Sequence, residues 1–431
     1  MQDVSFTDLL IPNLGEPKFD SAKPLGHKAD FIRDDDKILF HRHLADTQKF
    51  TPDKLPLLEL SGPRRKLFFN PRTAKIGIVT CGGLCPGLNT IIRSLVFTAR
   101  QYYGIETIYG FRYGYSGLNP KVGLPPLKLD TEMVDNIHVQ GGTILGSSRG
   151  PQEAAVLVDY LEKLGINALF VVGGDGTMRG ALDLTKEIAK RSKPISVIGI
   201  PKTIDNDIAF VERSFGFESA VEEATRIITA AHAEAKGAVN GIGLVKLMGR
   251  ESGFIAAAAT LASSVVNFCL VPEAPFHLEK FLKDVEQRIK RRQHAVIVVA
   301  EGMGQDLIPG AKADFDKSGN KRLKDIGVFL KNEIISYFTQ KKLEANVRYI
   351  DPSYAIRSVV PTGNDNIFCL MLGQGAVHAA MSGRTAAVVG YRNDHFVYLP
   401  MTLVTRFRKK IKIDSRVWRT VLDTTGQAEY K

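Results

Sequence analysis

Seven residues in the middle of the chain carry the densest chemistry. Pro201-Lys202-Thr203-Ile204-Asp205-Asn206-Asp207 sets two carboxylates on either side of an asparagine, with a hydroxyl and an ammonium just before them. An aspartate in reach of a substrate hydroxyl can accept its proton during phosphoryl transfer. Thr203 can bind a transferring oxygen, and Lys202 can neutralise phosphate charge. The alternative is an Asx turn with caps. Upstream, Gly173-Gly174-Asp175-Gly176-Thr177 places a carboxylate between glycines. Such a group suits Mg²⁺ held beside phosphates, because Mg²⁺ keeps waters and takes few protein ligands. Here the alternative is an N-cap aspartate in a glycine turn.

Further loops add anion-binding groups. Cys81-Gly82-Gly83-Leu84-Cys85-Pro86-Gly87 precedes a helical pattern, so backbone N–H groups and a helix N-terminus could face a phosphate. It lacks the Gly-Lys-Ser/Thr ending of a Walker loop, and a tight turn without ligand is the other reading. Gly141–Gly150 is a second glycine-rich loop, in which Arg149 is a candidate phosphate clamp beside Gly150. In Met248-Gly249-Arg250-Glu251, the glycine gives backbone access and Arg250 offers a fork for phosphate oxygens; a surface Arg250–Glu251 pair is the alternative. Glu301 could bind sugar hydroxyls or cap the next segment. Arg348 and Arg357 flank Asp351-Pro352-Ser353-Tyr354 and could hold the non-reacting end of a sugar phosphate, where binding energy positions the hydroxyl; each alone reads as a surface arginine.

These motifs follow short apolar, mostly β-branched runs: Ile76–Thr80, Ala168–Val172, Ile195–Ile200, Ile242–Met248, Ala295–Ala300, Val347–Ile350 and Ala386–Val389. Helical patterns lie between them, at Gln152–Leu164, Gly180–Lys190, Phe217–Glu234, Leu278–Arg292 and Ile326–Glu344. Strands alternating with helices predict an α/β fold with mostly parallel sheets, and the number of units predicts two sheets. Ligands in such sheets sit beyond the carboxyl ends of the strands, where these motifs fall. Ser252–Pro272 predicts a small-residue helix running into a strand rather than a membrane span. Residues 1–74 form a polar, Pro-punctuated opening, read as an extension that wraps a core.

The chain has 431 residues, 44% hydrophobic and 24% charged, which excludes wholesale disorder, collagen and coiled coil. Four cysteines, Cys81, Cys85, Cys269 and Cys369, are no disulfide framework and lack the spacing of a zinc site, so a reducing compartment is expected. Met1–Leu10 has Asp3 and Asp8 and no basic start, and Glu429-Tyr430-Lys431 is no peroxisomal address. A cytoplasmic location is expected. The net charge of +11 is dispersed except for short runs, the longest at Thr405–Ile413, which alternates like a strand. With no aromatic interleaving beyond Phe407, that run reads as a solvated face or a subunit contact, and no nucleic-acid or membrane partner is expected.

In this order, GGLCPGLN, GGTILGSSRG, GGDGT, PKTIDND, MGRESG, the Glu301 strand end and DPSYAIRS resemble 6-phosphofructokinases over residues 75 to about 400. GGDGT occurs in other kinase families; PKTIDND and MGR are specific to this one. The resemblance implies two Rossmann-like three-layer domains with the active site in the cleft between them. It implies a donor domain of residues 75–217 plus 358–404, an acceptor domain of 218–357, an N-terminal extension of 1–74 and a tail of 405–431. Asp205 would take the proton from the 1-hydroxyl of fructose 6-phosphate, assisted by Thr203, Lys202 and Arg250, and Asp175 would bind Mg²⁺. Gly82, Arg149, Gly150, Gly174, Gly176 and Thr177 would border the donor. Thr203, Met248, Gly249, Arg250 and Glu301 would hold the acceptor, and Tyr354 and Arg357 its 6-phosphate. Tyr354 stands where bacterial ATP-using enzymes commonly have histidine. A homo-oligomer, dimer or tetramer, is implied, with Arg348 acting across the subunit contact. Gly241 stands where those enzymes have a second such arginine.

The donor is read from two positions. Pyrophosphate-using relatives have GGDD with PKTIDND, and simple bacterial ATP-using ones have GGDG with PGTIDND; this chain combines Gly176 with Lys202. An aspartate at 176 would put charge and volume where the α-phosphate of ATP must pass, so glycine favours ATP. The implied activity is ATP-dependent phosphorylation of fructose 6-phosphate to fructose 1,6-bisphosphate in glycolysis. The alternatives are a pyrophosphate-dependent enzyme and a non-catalytic regulatory subunit of the same fold.

Overall fold

The computed structural model describes residues 4–21, 31–310 and 322–430; Asp3 and Lys431 lie outside the described residues. Two compact units form. One comprises residues 1–204, 208–216 and 360–408, the other residues 205–207, 217–359 and 409–431.

The first unit is built on a nine-stranded sheet. Its centre is parallel, in the order Ala387–Arg392, Ser196–Pro201, Ala168–Gly173, Lys75–Thr80, Thr107–Phe111. Alternation along these strands loads both faces. Ile76, Ile78, Phe170 and Val172 pack with the helices Leu88–Phe97 and Gly363–Met381 on one side. Val79, Leu169 and Val171 pack with Ala154–Leu164 and Asp175–Lys190 on the other. A strand buried on both faces reads as an unbroken apolar run, which is the pattern that exposed these segments in the sequence. The edges are antiparallel: Leu127–Lys128 closes one, and His395–Pro400, Leu57–Leu60 and Lys37–Leu39 extend the other. The opening segment therefore contributes two strands to this sheet, too short and too polar in sequence to show a period.

The second unit has a four-stranded, all-parallel sheet in the order Phe268–Leu270, His294–Ala300, Gly241–Leu247, Asn346–Ile350. Leu278–Arg292 and Ile326–Gln340 cover one face through Phe281, Val285, Ile289, Leu330 and Ile334. Phe217–Gly237 and Phe254–Ser263 pack against the sheet and each other. The expected small-residue helix and following strand are both present in Ser252–Pro272.

The α/β reading holds, with two differences in detail. The helix expected from Gly180 starts at Asp175, so the GGDGT residues from Asp175 onward form its first turn. An aspartate there is favoured by the helix dipole. Thr405–Ile413 is not a strand: after the short helix Met401–Val404 it runs extended with a single bridge, Ile208 to Arg408. Within it Arg406 reaches Asp8, Arg408 reaches Asp175 and Lys409 reaches Asn206, while Lys410 and Lys412 are exposed. Among the described residues no helix is long and apolar enough to cross a membrane.

Candidate active site

In the first unit the strand ends carry a set of interlocked loops. The Lys75–Thr80 strand runs into Cys81-Gly82, whose backbone is fixed by Cys81 N donating to Val172 O (2.9 Å) and Gly82 N to Ser148 O (3.1 Å). Gly82 adopts φ +85°, open to glycine at little cost. Asn89 ties in the Gly141–Gly150 loop, its side-chain oxygen accepting from Ile144 N (2.9 Å), while Thr80 Oγ1 donates to Gly146 O (2.7 Å). Arg149 at the end of that loop is exposed, beside half-buried Gly150. Lys202 follows the Ser196–Pro201 strand. Its N–H donates to Gly173 O (2.9 Å), and its buried ammonium donates to Gly83 O (2.7 Å). The lysine thus joins three loops that sequence places far apart. Thr203 follows, its carbonyl accepting from Ser214 Oγ (2.6 Å).

Gly174 precedes the Asp175–Lys190 helix, and Thr177 is buried in its first turn with its carbonyl accepting from Tyr115 OH (2.6 Å). Gly176 is exposed, and a Cβ added there would meet nothing within 4 Å. Asp175 is half-buried. Its Oδ2 accepts from Arg179 Nη2 at 2.9 Å, one turn along, and from Arg408 Nη2 at 3.2 Å. Among the described residues no cluster of three or more candidate ligands surrounds it. A single carboxylate at a helix start fits Mg²⁺, whose remaining positions are filled by water and phosphate oxygens.

The second unit gathers the acceptor candidates. Asp205–Asp207 belong to it. Asn206 is buried in the left-handed region (φ +53°), and Lys409 holds this turn: its N–H donates to Asp207 O (2.8 Å) and its ammonium to Asn206 Oδ1 (3.1 Å). The Gly241–Leu247 strand delivers Met248, Gly249 and Arg250. At Gly249 φ is +130°, and a Cβ would lie 2.3 Å from Ser252 O, so only glycine fits. Glu301 N donates to Leu247 O (2.9 Å), and Gly302 N to Gly249 O (3.0 Å), which sets the Glu301 loop beside MGR. Burial raises the Glu301 carboxyl pKa, with Asp351 adding to the shift, while the positive charges of Arg250, Lys246 and Arg357 oppose it.

Lys246 is the residue that sequence reasoning passed over. Its side chain is 11% exposed and donates to Asp325 Oδ2 (2.9 Å) and Asp351 Oδ2 (2.8 Å). Asp325 caps the Ile326–Gln340 helix. Asp351 Oδ1 accepts from Ser353 N (3.1 Å), at the start of the Ser353–Ser358 helix that bears Tyr354 and Arg357. A lone lysine inside the apolar run Ile242–Met248 was the available signal. Arg357 is half-buried, with its guanidinium over the Tyr354 ring (5.1 Å), whereas Tyr354 itself is 81% exposed. Arg348 is exposed on the edge strand. Gly241 is buried, and a Cβ there would meet Ala235 O at 2.1 Å, so this backbone admits no arginine.

Comparison with known proteins gives the family. The family model described as Phosphofructokinase matches residues 75–380. The chain is 44% identical to the ATP-dependent 6-phosphofructokinase of Borreliella burgdorferi, over 97% of each protein. It is 44% identical to the enzyme of the same name from Trypanosoma brucei brucei, over 99% of this chain and 88% of that one. Among solved structures, it resembles a pyrophosphate-dependent phosphofructokinase from Marinobacter aquaeolei (TM-score 0.68, 22% identity, 83% of this chain and 92% of that one). Pichia pastoris phosphofructokinase is another fold match (TM-score 0.64, 22% identity, 82% of this chain and 37% of that one).

Proposed function

This chain belongs to the phosphofructokinase family, and from that premise we propose that it is an ATP-dependent 6-phosphofructokinase. It transfers the γ-phosphoryl of ATP to the 1-hydroxyl of fructose 6-phosphate, giving fructose 1,6-bisphosphate and ADP. Gly176 carries the donor assignment: the space its side chain would enter is open, and an aspartate there would project a charge into it. Lys202, the feature shared with pyrophosphate-using relatives, is engaged with the Gly83 carbonyl and supports the loops whichever donor is used.

Asp205 accepts the proton of the 1-hydroxyl as its oxygen attacks the γ-phosphorus and the β–γ bridging oxygen departs with ADP. Thr203, Lys202 and Arg250 stabilise the charge on the transferring group. Gly82, Arg149, Gly150, Gly174, Gly176 and Thr177 border the nucleotide. Met248, Gly249, Arg250 and Glu301 hold the sugar, and Tyr354 and Arg357 its 6-phosphate. Mg²⁺, held by Asp175, would offset the phosphate charge. The protein acts as a cytoplasmic homo-oligomer, with Arg348 acting across the subunit contact; its exposure on an edge strand supports that role.

The test is turnover of purified protein with fructose 6-phosphate and Mg²⁺, with ATP and pyrophosphate in parallel. ATP should support turnover and pyrophosphate little. Gly176→Asp should lower kcat/KM for ATP by about a hundredfold, through charge and shape, with the KM for fructose 6-phosphate little changed. Turnover with pyrophosphate alone would overturn the donor assignment.

A further inference from the structure

We propose that Arg408, in the basic segment that follows the motif-bearing part of the chain, is a ligand of the donor's phosphates. It also makes Asp175 accept the metal ion only together with the polyphosphate. This deepens the donor reading above and rests on it.

Three observations within the first unit point there. First, Arg408 Nη2 lies 3.2 Å from Asp175 Oδ2, the oxygen proposed to face Mg²⁺. A chain separation of 233 residues makes this a tertiary placement rather than a local pair. Second, Arg408 is held in place: its backbone bridges to Ile208, and its side chain is only 25% exposed. Arg179, which shares the same oxygen, is 61% exposed and one helical turn away, the ordinary geometry of a surface i,i+4 pair of little consequence. Third, the space beside Gly176, the residue next to Asp175, is open.

Charge decides what that ligand must be. Mg²⁺ binds carboxylate oxygen at about 2.1 Å. A bare cation at Asp175 Oδ2 would stand against the like charge of the Arg408 guanidinium and compete with it for that oxygen. A metal ion arriving with its polyphosphate brings an anion that Arg408 can meet. The guanidinium can move from carboxylate to phosphate oxygen through side-chain rotation, where its fork of N–H donors can engage two oxygens. The ion pair therefore disfavours free Mg²⁺ and favours the metal–nucleotide complex.

The experiment compares the wild type with Arg408→Met, Arg408→Lys and Arg179→Met. It measures KM for each substrate, equilibrium binding of Mg·ATP, binding of Mn²⁺ alone by its paramagnetic signal, and melting temperature. Arg408→Met should raise Kd and KM for Mg·ATP about tenfold or more, the loss expected for a charge-assisted contact. KM for fructose 6-phosphate should stay within about twofold, and Mn²⁺ alone should bind more tightly. Arg179→Met should leave nucleotide binding within about twofold. Unchanged or tighter Mg·ATP binding in Arg408→Met would overturn the proposal and make the contact a mere restraint on Asp175. If Arg408→Met does not fold, Arg408→Lys must still weaken Mg·ATP binding about threefold through loss of the fork, and wild-type affinity there overturns the proposal. A wild type inactive with ATP would overturn the donor reading and this proposal together. An active wild type with a normal Arg408→Met overturns only the latter.

Discussion

At the scale of single residues, Asp205 owes its setting to its own turn. It leads the turn in which Asn206 takes a left-handed conformation, and Lys409 ties that turn by both main chain and side chain. An aspartate held on so constrained a turn is suited to meet one hydroxyl repeatedly in one geometry. Asp205→Asn keeps size and turn propensity but cannot accept the proton. It should lower kcat by about 10²–10⁴, with KM values for both substrates shifted by far less. Steady-state kinetics with ATP would check this, and a near-normal kcat would remove Asp205 from the role of base. What the sequence could not convey was the partnership of Asp175 with Arg408 or of Asn206 with Lys409. A run of basic residues looks the same in sequence whether it faces water or a carboxylate, because only the fold chooses its partners.

At the scale of elements, the long strands and helices were legible because burial on both faces leaves continuous apolar runs, and burial on one helix face leaves a 3.6-residue period. The Asp175–Lys190 helix buries Met178, Ala181, Leu184 and Ile188 in that way. Short strands such as the edge strand Lys37–Leu39 and its neighbour Leu57–Leu60 escaped, since three or four residues cannot establish a period. The Gly241–Leu247 strand hid a different feature. Lys246 interrupts its apolar run and anchors the starts of two helices through Asp325 and Asp351. Burial pushes the Asp351 carboxyl up, but hydrogen bonds from Lys246 and Ser353 outweigh it and leave the net pKa below the ordinary value. Lys246 is thus a positioning residue for the helix bearing Arg357. Lys246→Met should raise KM for fructose 6-phosphate about tenfold and leave KM for ATP within about twofold. Stability in urea should fall by about 1–3 kcal/mol, less than for a fully buried pair because both carboxylates are more than a third exposed and regain water. Lys246→Arg should restore much of both. A variant that loses stability while both KM values stay normal would reduce Lys246 to a structural role.

At the scale of the whole molecule, the two sheets and their helical layers were legible from the alternation of runs, whereas the brief excursion at Asp205–Asp207 and the tail's membership of the second unit were not. The second unit takes up Asp205–Asp207 as well as the tail from Lys409, because contacts and not sequence order decide membership. Charge is the property that belongs to no single element. The chain carries a net +11, and both proposed substrates and both products are polyanions. A positive field raises the encounter rate and local concentration of such ligands and is screened as ions are added, with a Debye length falling from about 30 Å at 0.01 M to about 10 Å at 0.1 M. The attraction acts before transfer, so it should appear in kcat/KM and not in kcat. Raising ionic strength from about 0.02 to 0.2 M with an inert salt, at fixed free Mg²⁺, should lower kcat/KM for ATP and for fructose 6-phosphate severalfold, with kcat within about twofold. Neutral viscogens separate this from a slowed diffusional step, since they leave the field intact. If kcat/KM holds constant across that range, the excess charge is dispersed too evenly to focus on the substrates, and binding rests on the local arginines alone.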